Sequence, residues 1–420
     1  MKRCFSICVS AIVVLGFLLT ANASNAPTGF AYRGIKGWCW TPEQYLEEIP
    51  HLREFKMNFL MNCYGSMYTS APGEPWKNEW WKPMTHERKL AYSRVIEACR
   101  ENGITFCFAF HPQIFSPRPL NPESAADTDL FFQHYAWAQA QGVHWFSVSL
   151  DDVSWDQNGA SHGGAIHAKF VNTIFSRLRA KDPSAQLIFC PGPYWGDGRD
   201  AKSQPYLEAL GKDLHPDVYI FWTGDGVTTQ HITLAAAESY KSIIRHRLFL
   251  WDNYPVNDGT PTLHLGPLTG RDPGLCKVID GYISNPMATQ NELNRLPLAT
   301  CADYAVDPLT YNPDRSLQES IDRLATTQPQ REVLKSLVAL YPGFLATGGG
   351  TGANPVRDKF KAMLSAGDKK ELQTFIQKAK DAATGLARQF PNEFVNARKT
   401  VEADIAWMNQ QISSRHFSNP

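Results

Sequence analysis

Between Phe30 and Met287 short apolar runs alternate with longer stretches whose apolar positions recur at i, i+3, i+4 and i+7. The runs occupy 31–37, 58–62, 105–110, 145–150, 187–190, 218–222, 248–251 and 281–284, and each ends in polar or aromatic residues. Stretches such as 86–102, 129–141, 165–182 and 233–241 predict amphipathic helices between them. Alternating strands and helices imply a parallel sheet, because each helix carries the chain back to the edge where the next strand starts. Eight such units over about 260 residues match an α/β fold of the (β/α)8 barrel type, which needs about 250, better than an open doubly wound sheet.

After Pro313 the strand pattern stops. Helical spacing predicts helices over 317–325, 330–340, 356–364, 369–389 and 392–409, an all-α C-terminal domain over 313–420 behind a barrel over 24–312. The run Gly348 to Gly352 lacks both a preceding strand and the Gly-Lys-Ser/Thr ending of a phosphate loop, so it reads as a plain flexible turn.

The first residues set the expected compartment. Lys2 and Arg3, the apolar run from Ala11 to Leu19 and the Ala21-Asn22-Ala23 triplet predict a signal peptide over 1–23, hence a periplasmic or secreted protein. No later run reaches 18 consecutive apolar residues, so no membrane span is expected. Beyond the leader stand Cys39, Cys63, Cys99, Cys107, Cys190, Cys276 and Cys301, an odd set without a CxxC pair. That argues against a disulfide framework and a zinc cluster, and neither metal nor organic cofactor is expected. Lys+Arg and Asp+Glu both total 41, with no basic tract to attract nucleic acid. Of 12 tryptophans, Trp38, Trp40, Trp76, Trp80, Trp81, Trp155 and Trp195 fall in segments that otherwise read as loops, where rings suit stacking on sugars.

In such a barrel the active site forms at the C-terminal ends of the strands. The residues there are Gly37 and Trp38, Asn62 and Tyr64, His111, Asp151 and Asp152, Tyr194, Trp222 to Asp225, Asp252 and Asn253 with Asp258 nearby, and Asn285. Carboxylates, amides and rings around one mouth suit a polyhydroxylated ligand. The adjacent carboxylates of Asp151 and Asp152 repel, so one can keep its proton near neutral pH and serve as a general acid. Ordinary glycosidases hold two carboxylates about 5 or 6.5–9.5 Å apart across the scissile bond, an arrangement that sequence neighbours do not easily reach. A substrate-assisted route removes the difficulty: the sugar's own acetamide attacks C1, one aspartate polarises it, and the other protonates the leaving oxygen. Taken alone, the pair reads more simply as a strand-end turn. His162 and His167 lack a carboxylate or thiol at ligand spacing, and Asp156, Asn158 and Gly159 open like a calcium loop without its closing Glu, so both read as loop features.

The stretches SLDDV around Asp151, FWTGDGV from Phe221, LWDNYPVND from Leu250, and GYISNPM with ADYAVDP after Gly281 occur in the order found in glycoside hydrolase family 84. The chain resembles this β-N-acetylglucosaminidase group over roughly residues 30 to 312. The resemblance implies that Asp151 polarises the acetamide and that Asp152 is general acid and then base. It implies that Trp251, Asn253 and Asp258 surround the sugar, with Asn253 near the acetamide and Asp258 on hydroxyls. Asn285 looks like a further hydroxyl ligand, and Tyr194 like the tyrosine that contacts the acetamide or its oxazoline.

Two departures accompany this. The first strand is followed by GWCW instead of a Gly-Phe-Tyr-Gly type sequence, so only Gly37 carries over. The family's Tyr-x-Pro-Lys motif after the second strand is replaced by CYGSMY, leaving no lysine near Gly65; a lost charge-assisted hydrogen bond to a sugar costs about 1.5–3 kcal/mol. Lys77 and Lys82 are the expected substitutes. The expectation is thus an exported retaining β-N-acetylhexosaminidase acting through an oxazoline on a carbohydrate partner, a glycoprotein or polysaccharide. The alternatives are an endo-acting or differently specific glycosidase and a noncatalytic carbohydrate-binding barrel.

Overall fold

Each of the eight apolar runs forms a strand: β1 Tyr32–Lys36, β2 Phe59–Met61, β3 Thr105–Phe110, β4 Trp145–Ser149, β5 Gln186–Cys190, β6 Tyr219–Trp222, β7 Leu248–Pro255 and β8 Ile279–Asn285. They pair in parallel in chain order, and β8 closes on β1 with Gly34 opposite Ile283, giving a closed barrel. This is a computed structural model, and it describes residues 28–37, 39–64, 67, 78–114, 116–156, 158–288 and 291–414. The leader, Trp38, Gly65, Trp76 and Lys77 lie outside the described residues.

Six crossovers carry helices: α1 Pro42–Glu54, α2 His86–Glu101, α3 Ala125–Ala140, α4 Ala160–Lys181, α5 Ser203–Asp213 and α6 Leu234–Ile244. Their starts follow from local chemistry. Thr41, Thr85, Ser124 and Thr233 each accept a backbone N–H of the first turn, and Thr41 completes a capping box with Gln44. Between β7 and β8 the expected helix is replaced by an irregular segment, 256–278, with one 3-10 turn at Pro273–Lys277. Pro261, Pro267 and Pro273 with four interspersed glycines remove donors and rigidity that a helix there would need. Helix α7, Asn291–Val306, follows β8.

Side chains alternate across each strand, and the inward set fills the barrel in layers. Tyr32, Phe59, Trp145, Tyr219 and Phe249 plug the end where the strands begin, with ring centroids 4.6 Å apart for Tyr32 and Trp145 and 5.2 Å for Phe59 and Phe249. A cavity can therefore open only at the other end. The outward set packs on the helices, and each fully buried Leu, Ile or Phe there contributes about 1.5–3 kcal/mol.

The five predicted C-terminal helices appear as α8 Pro313–Leu324, α9 Gln328–Leu340, α11 Pro355–Ala366, α12 Lys369–Gln389 and α13 Val395–Ser413, and a single unpredicted turn, α10 Phe344–Thr347, stands between α9 and α11. Their core of Leu334, Leu337, Phe360, Leu372, Leu386, Val401 and Met408 also takes in Leu263, Leu265, Met287 and Leu296 from the barrel side. The two bodies thus share apolar surface along the irregular segment after β7. Among the described residues no helix is long and apolar enough to cross a membrane.

Candidate active site

Strand β4 ends at Ser149, and the chain turns at Asp152, whose φ of 58° places it in the left-handed region that Asp tolerates better than most residues. This turn splays the neighbouring carboxylates. Asp151 is buried and its Oδ2 accepts the Tyr64 hydroxyl at 2.6 Å, on the β2 side. Asp152 points the other way, where its Oδ1 accepts the Tyr194 hydroxyl at 2.9 Å, on the β5 side. Asp152 is exposed as a residue. Burial of its carboxyl among neighbours, and next the charge of Asp151, nevertheless push its pKa up, against the lowering effect of the Tyr194 hydrogen bond.

His111, at the end of β3, serves the backbone of this turn. Its Nδ1 accepts the N–H groups of Gln113 and Ile114 at 3.1 and 3.0 Å, which leaves the proton on Nε2 to donate to the Asp151 carbonyl at 2.8 Å. Burial lowers its pKa, consistent with a neutral ring. Both ring nitrogens of this strand-end residue are thus spent on backbone.

Opposite the carboxylates, β7 supplies Trp251 and Asn253 on its inward face. Trp251 stacks on Tyr194 with centroids 6.4 Å apart and an 18° tilt, and its buried indole N–H has no partner among the described residues. Asn253 Nδ2 donates to the Val227 carbonyl at 2.7 Å, and its Oδ1 accepts Asn285 Nδ2 at 2.9 Å. That leaves Asn285 Oδ1 buried without a partner among the described residues, an acceptor available to a hydroxyl. Asp258 lies at the rim of the segment after β7 and accepts the Thr351 hydroxyl. Gly37 closes the β1 side; a Cβ there would come within 2.5 Å of the Trp40 ring, and its carbonyl accepts the Tyr45 hydroxyl at 3.0 Å.

One cation that the sequence reading missed enters the site. Lys36 is fully buried at the inward end of β1, its Nζ 3.3 Å from the centroid of Trp251 and 4.3 Å from that of Tyr64. Burial lowers its pKa, and the neighbouring Cys63 and Asp151 act in the opposite sense. Of the two expected substitutes for the absent lysine, Lys82 does not serve, being exposed and paired with Glu79 at 2.7 Å, and Lys77 lies outside the described residues. The signal was available in β1, where Tyr32, Gly34 and Lys36 share the inward face.

Other strand-end residues are turned elsewhere. Asp252 lies on the outward face of β7 between Trp251 and Asn253, and meets Arg271 at 2.7 Å and the Tyr282 hydroxyl at 3.0 Å. Asp225 accepts the N–H and hydroxyl of Thr233 at the start of α6. Asn62 is spent on the backbone of Ala109, and Trp80 is packed in the core with its N–H on the Arg118 carbonyl. The mouth is therefore less acidic than the linear order of residues implied. Burial raises the pKa of the Cys39 and Cys190 thiols, so neither is an activated nucleophile. All seven described cysteines are free thiols. His162 is exposed, His167 bonds the Tyr206 hydroxyl at 2.7 Å, and the described residues contain no group of three His, Cys, Asp or Glu able to hold a metal ion.

A parallel eight-stranded barrel whose open end brings paired carboxylates, amides and stacked rings around one pocket is the fold and site of a glycoside hydrolase. Residues 33–340 match the family described as beta-N-acetylglucosaminidase, and the chain belongs to that family. It is similar to the protein O-GlcNAcases of Mus musculus and Rattus norvegicus, each 26% identical over 283 residues, or 64% of this chain and 29% of the relative. The match thus spans less than a third of the length of these curated relatives. Among solved structures a mutant of the Thermobaculum terrenum O-GlcNAc hydrolase shares the fold, with a TM-score of 0.71 and 22% identity over 90% of this chain and 82% of that one.

Proposed function

We propose that the protein is an exported retaining β-N-acetylglucosaminidase in which the substrate's acetamide is the nucleophile. The observation that carries this reading is the splay of the two neighbouring aspartates, one toward Tyr64 and the other toward Tyr194. Asp151, buried and hydrogen-bonded, orients the acetamide so that its carbonyl oxygen attacks C1. Asp152, with its raised pKa, gives its proton to the leaving oxygen as the C1–O bond breaks. The resulting oxazoline lies over Trp251 and Tyr194. Water then enters from the side vacated by the aglycone, and Asp152 takes its proton, so that two displacements at C1 return the original configuration. Asn253, Asn285 and Asp258 bind the acetamide edge and the hydroxyls, and Lys36 supplies the cation at the pocket floor.

Support for the substrate class comes from the family match and from the relatives, whose names specify O-GlcNAc. Support for export comes from the charged, apolar and Ala-x-Ala pattern of residues 1–23, and the division of the chain near Pro313 belongs to the same reading. Two aryl substrates test the mechanism: the N-acetyl-β-glucosaminide should release its chromophore and the β-glucoside, which lacks the acetamide, should not. Equal rates on both would refute it. N-terminal sequencing of protein from the periplasm or medium, expected to begin at Ser24, tests export.

A further inference from the structure

We propose that Thr351, on the glycine-rich loop of the C-terminal helical region, is a positioning residue for the sugar pocket: its hydroxyl fixes the carboxylate of Asp258. The proposal rests on the reading of Asp258 as a hydroxyl ligand. The run Gly348 to Gly352 lies outside helix and strand, as its composition predicts, and also carries a clasp onto the segment after β7. Thr351 is buried, and while its hydroxyl donates to Asp258 Oδ2 its carbonyl accepts His264 Nε2 at 2.6 Å. Burial lowers the pKa of His264, so the ring is held neutral with its proton on the nitrogen that makes this bond.

The same two segments join at three more places. Thr262 Oγ1 donates to the Ala353 carbonyl at 3.1 Å, Leu265 N–H donates to the Tyr341 carbonyl at 3.0 Å, and the His264 ring lies edge-on to Phe344 at 5.1 Å. The backbones touch: a Cβ on Gly266 would sit 2.1 Å from the Pro342 carbonyl oxygen. Asp258 needs such support because its own segment provides little. It has a φ of 48° and is followed by Gly259 at 74°, so the carboxylate stands on a tight reversal at the rim of a segment that is not helical. Asn257 anchors the backbone through Thr260, Thr262 and Ala288 and leaves the Asp258 side chain to Thr351. The supporting stretch, 341–353, begins just beyond the last residue of the family match, Leu340. The helical region is on this view part of the pocket wall.

The test compares Thr351→Val, Thr351→Ser, Asp258→Asn and the Thr351→Val/Asp258→Asn pair, with KM and kcat on an aryl N-acetyl-β-glucosaminide and melting temperature for each. Thr351→Val should lower kcat/KM about tenfold, chiefly through KM, as expected for one hydrogen bond to a charged group. Thr351→Ser should restore it, and in the Asp258→Asn background the valine should add little, since the two changes remove one interaction. Wild-type kinetics in Thr351→Val beside an impaired Asp258→Asn, failure of serine to rescue, or additive effects would each overturn the proposal and leave the reading of Asp258 intact. Wild-type kinetics in Asp258→Asn would remove that reading and the proposal with it. Should the wild type not turn over, which would count against the proposed function instead, free N-acetylglucosamine titrated by tryptophan fluorescence carries the same comparison through Kd.

Discussion

The Tyr194 hydroxyl donates to Asp152 Oδ1 at 2.9 Å while the Tyr194 ring stacks on Trp251, so one residue touches both the Asp152 carboxyl and the aromatic wall. The hydrogen bond favours the charged carboxylate, and Tyr194→Phe removes it without removing the ring. The Asp152 pKa, already raised, should rise further. Because the protonated form is the working acid in the proposed mechanism, the basic limb of kcat/KM against pH should move to higher pH. The loss in rate should be about ten- to a hundredfold, from the hydrogen bond to a charged group. A pH profile of the variant checks both.

Asp152→Asn should lower kcat on an unactivated glycoside by about 10²–10⁴ through loss of general acid catalysis, with its melting temperature level or higher, because a carboxyl whose pKa is raised carries a charge that the fold disfavours. Asp151→Asn should fail equally, but for another reason: an amide does not stabilise the developing positive charge on the acetamide. Steady-state kinetics beside circular dichroism melts separate these losses from unfolding.

Lys36→Met should uncouple function from stability. A buried ammonium is costly to desolvate, and methionine fills a similar volume between Trp251 and Tyr64, so the melting temperature should stay level or rise. Substrate turnover should fall at least tenfold, as the pocket loses its floor cation. A variant that melts lower and keeps full activity would assign Lys36 to packing.

Asp252 and Arg271 make a bidentate pair with buried side chains behind the pocket, at 2.9 and 2.7 Å. Removing one partner leaves the other charge buried and unpaired, so Arg271→Met should cost about 3–5 kcal/mol in urea unfolding. Replacing both by apolar residues should restore much of the loss.

His134 and His167 are buried, bonded to the Trp80 carbonyl and the Tyr206 hydroxyl, and burial lowers each pKa to about 4. Both are neutral in the folded protein, whereas an unfolded histidine takes its proton near pH 6.5. The unfolded state therefore binds more protons as pH falls, and stability should drop from about pH 6.5 down to about pH 4, by up to about 3 kcal/mol for each ring. His134→Gln should flatten the fall, measured as melting temperature against pH.

How far the site was legible depended on the distance over which each contact forms. The strand runs, the aspartate pair and the position of Tyr194 were readable because a parallel barrel delivers the end of every strand to one mouth, and periodicity alone identifies the strands. Asp252 was misjudged, although it is a near neighbour of Trp251 and Asn253, because alternation along β7 turns it outward to Arg271. The same alternation, applied to β1, would have found Lys36 on the face of Tyr32 and Gly34. Trp80 stands in a segment that reads as a loop, where rings suit sugars, and its burial follows from packing against Phe131 and Arg118.

By itself the sequence determined the order of strands and helices, the barrel they close and the residue types at its rim, since these follow from local periodicity and from the geometry of parallel crossovers. Only the tertiary structure decided that neighbouring aspartates diverge, that the floor cation comes from β1, and that Thr351 reaches Asp258 across 93 positions. Such contacts depend on backbone turns and on the packing of distant segments, and no local pattern encodes either.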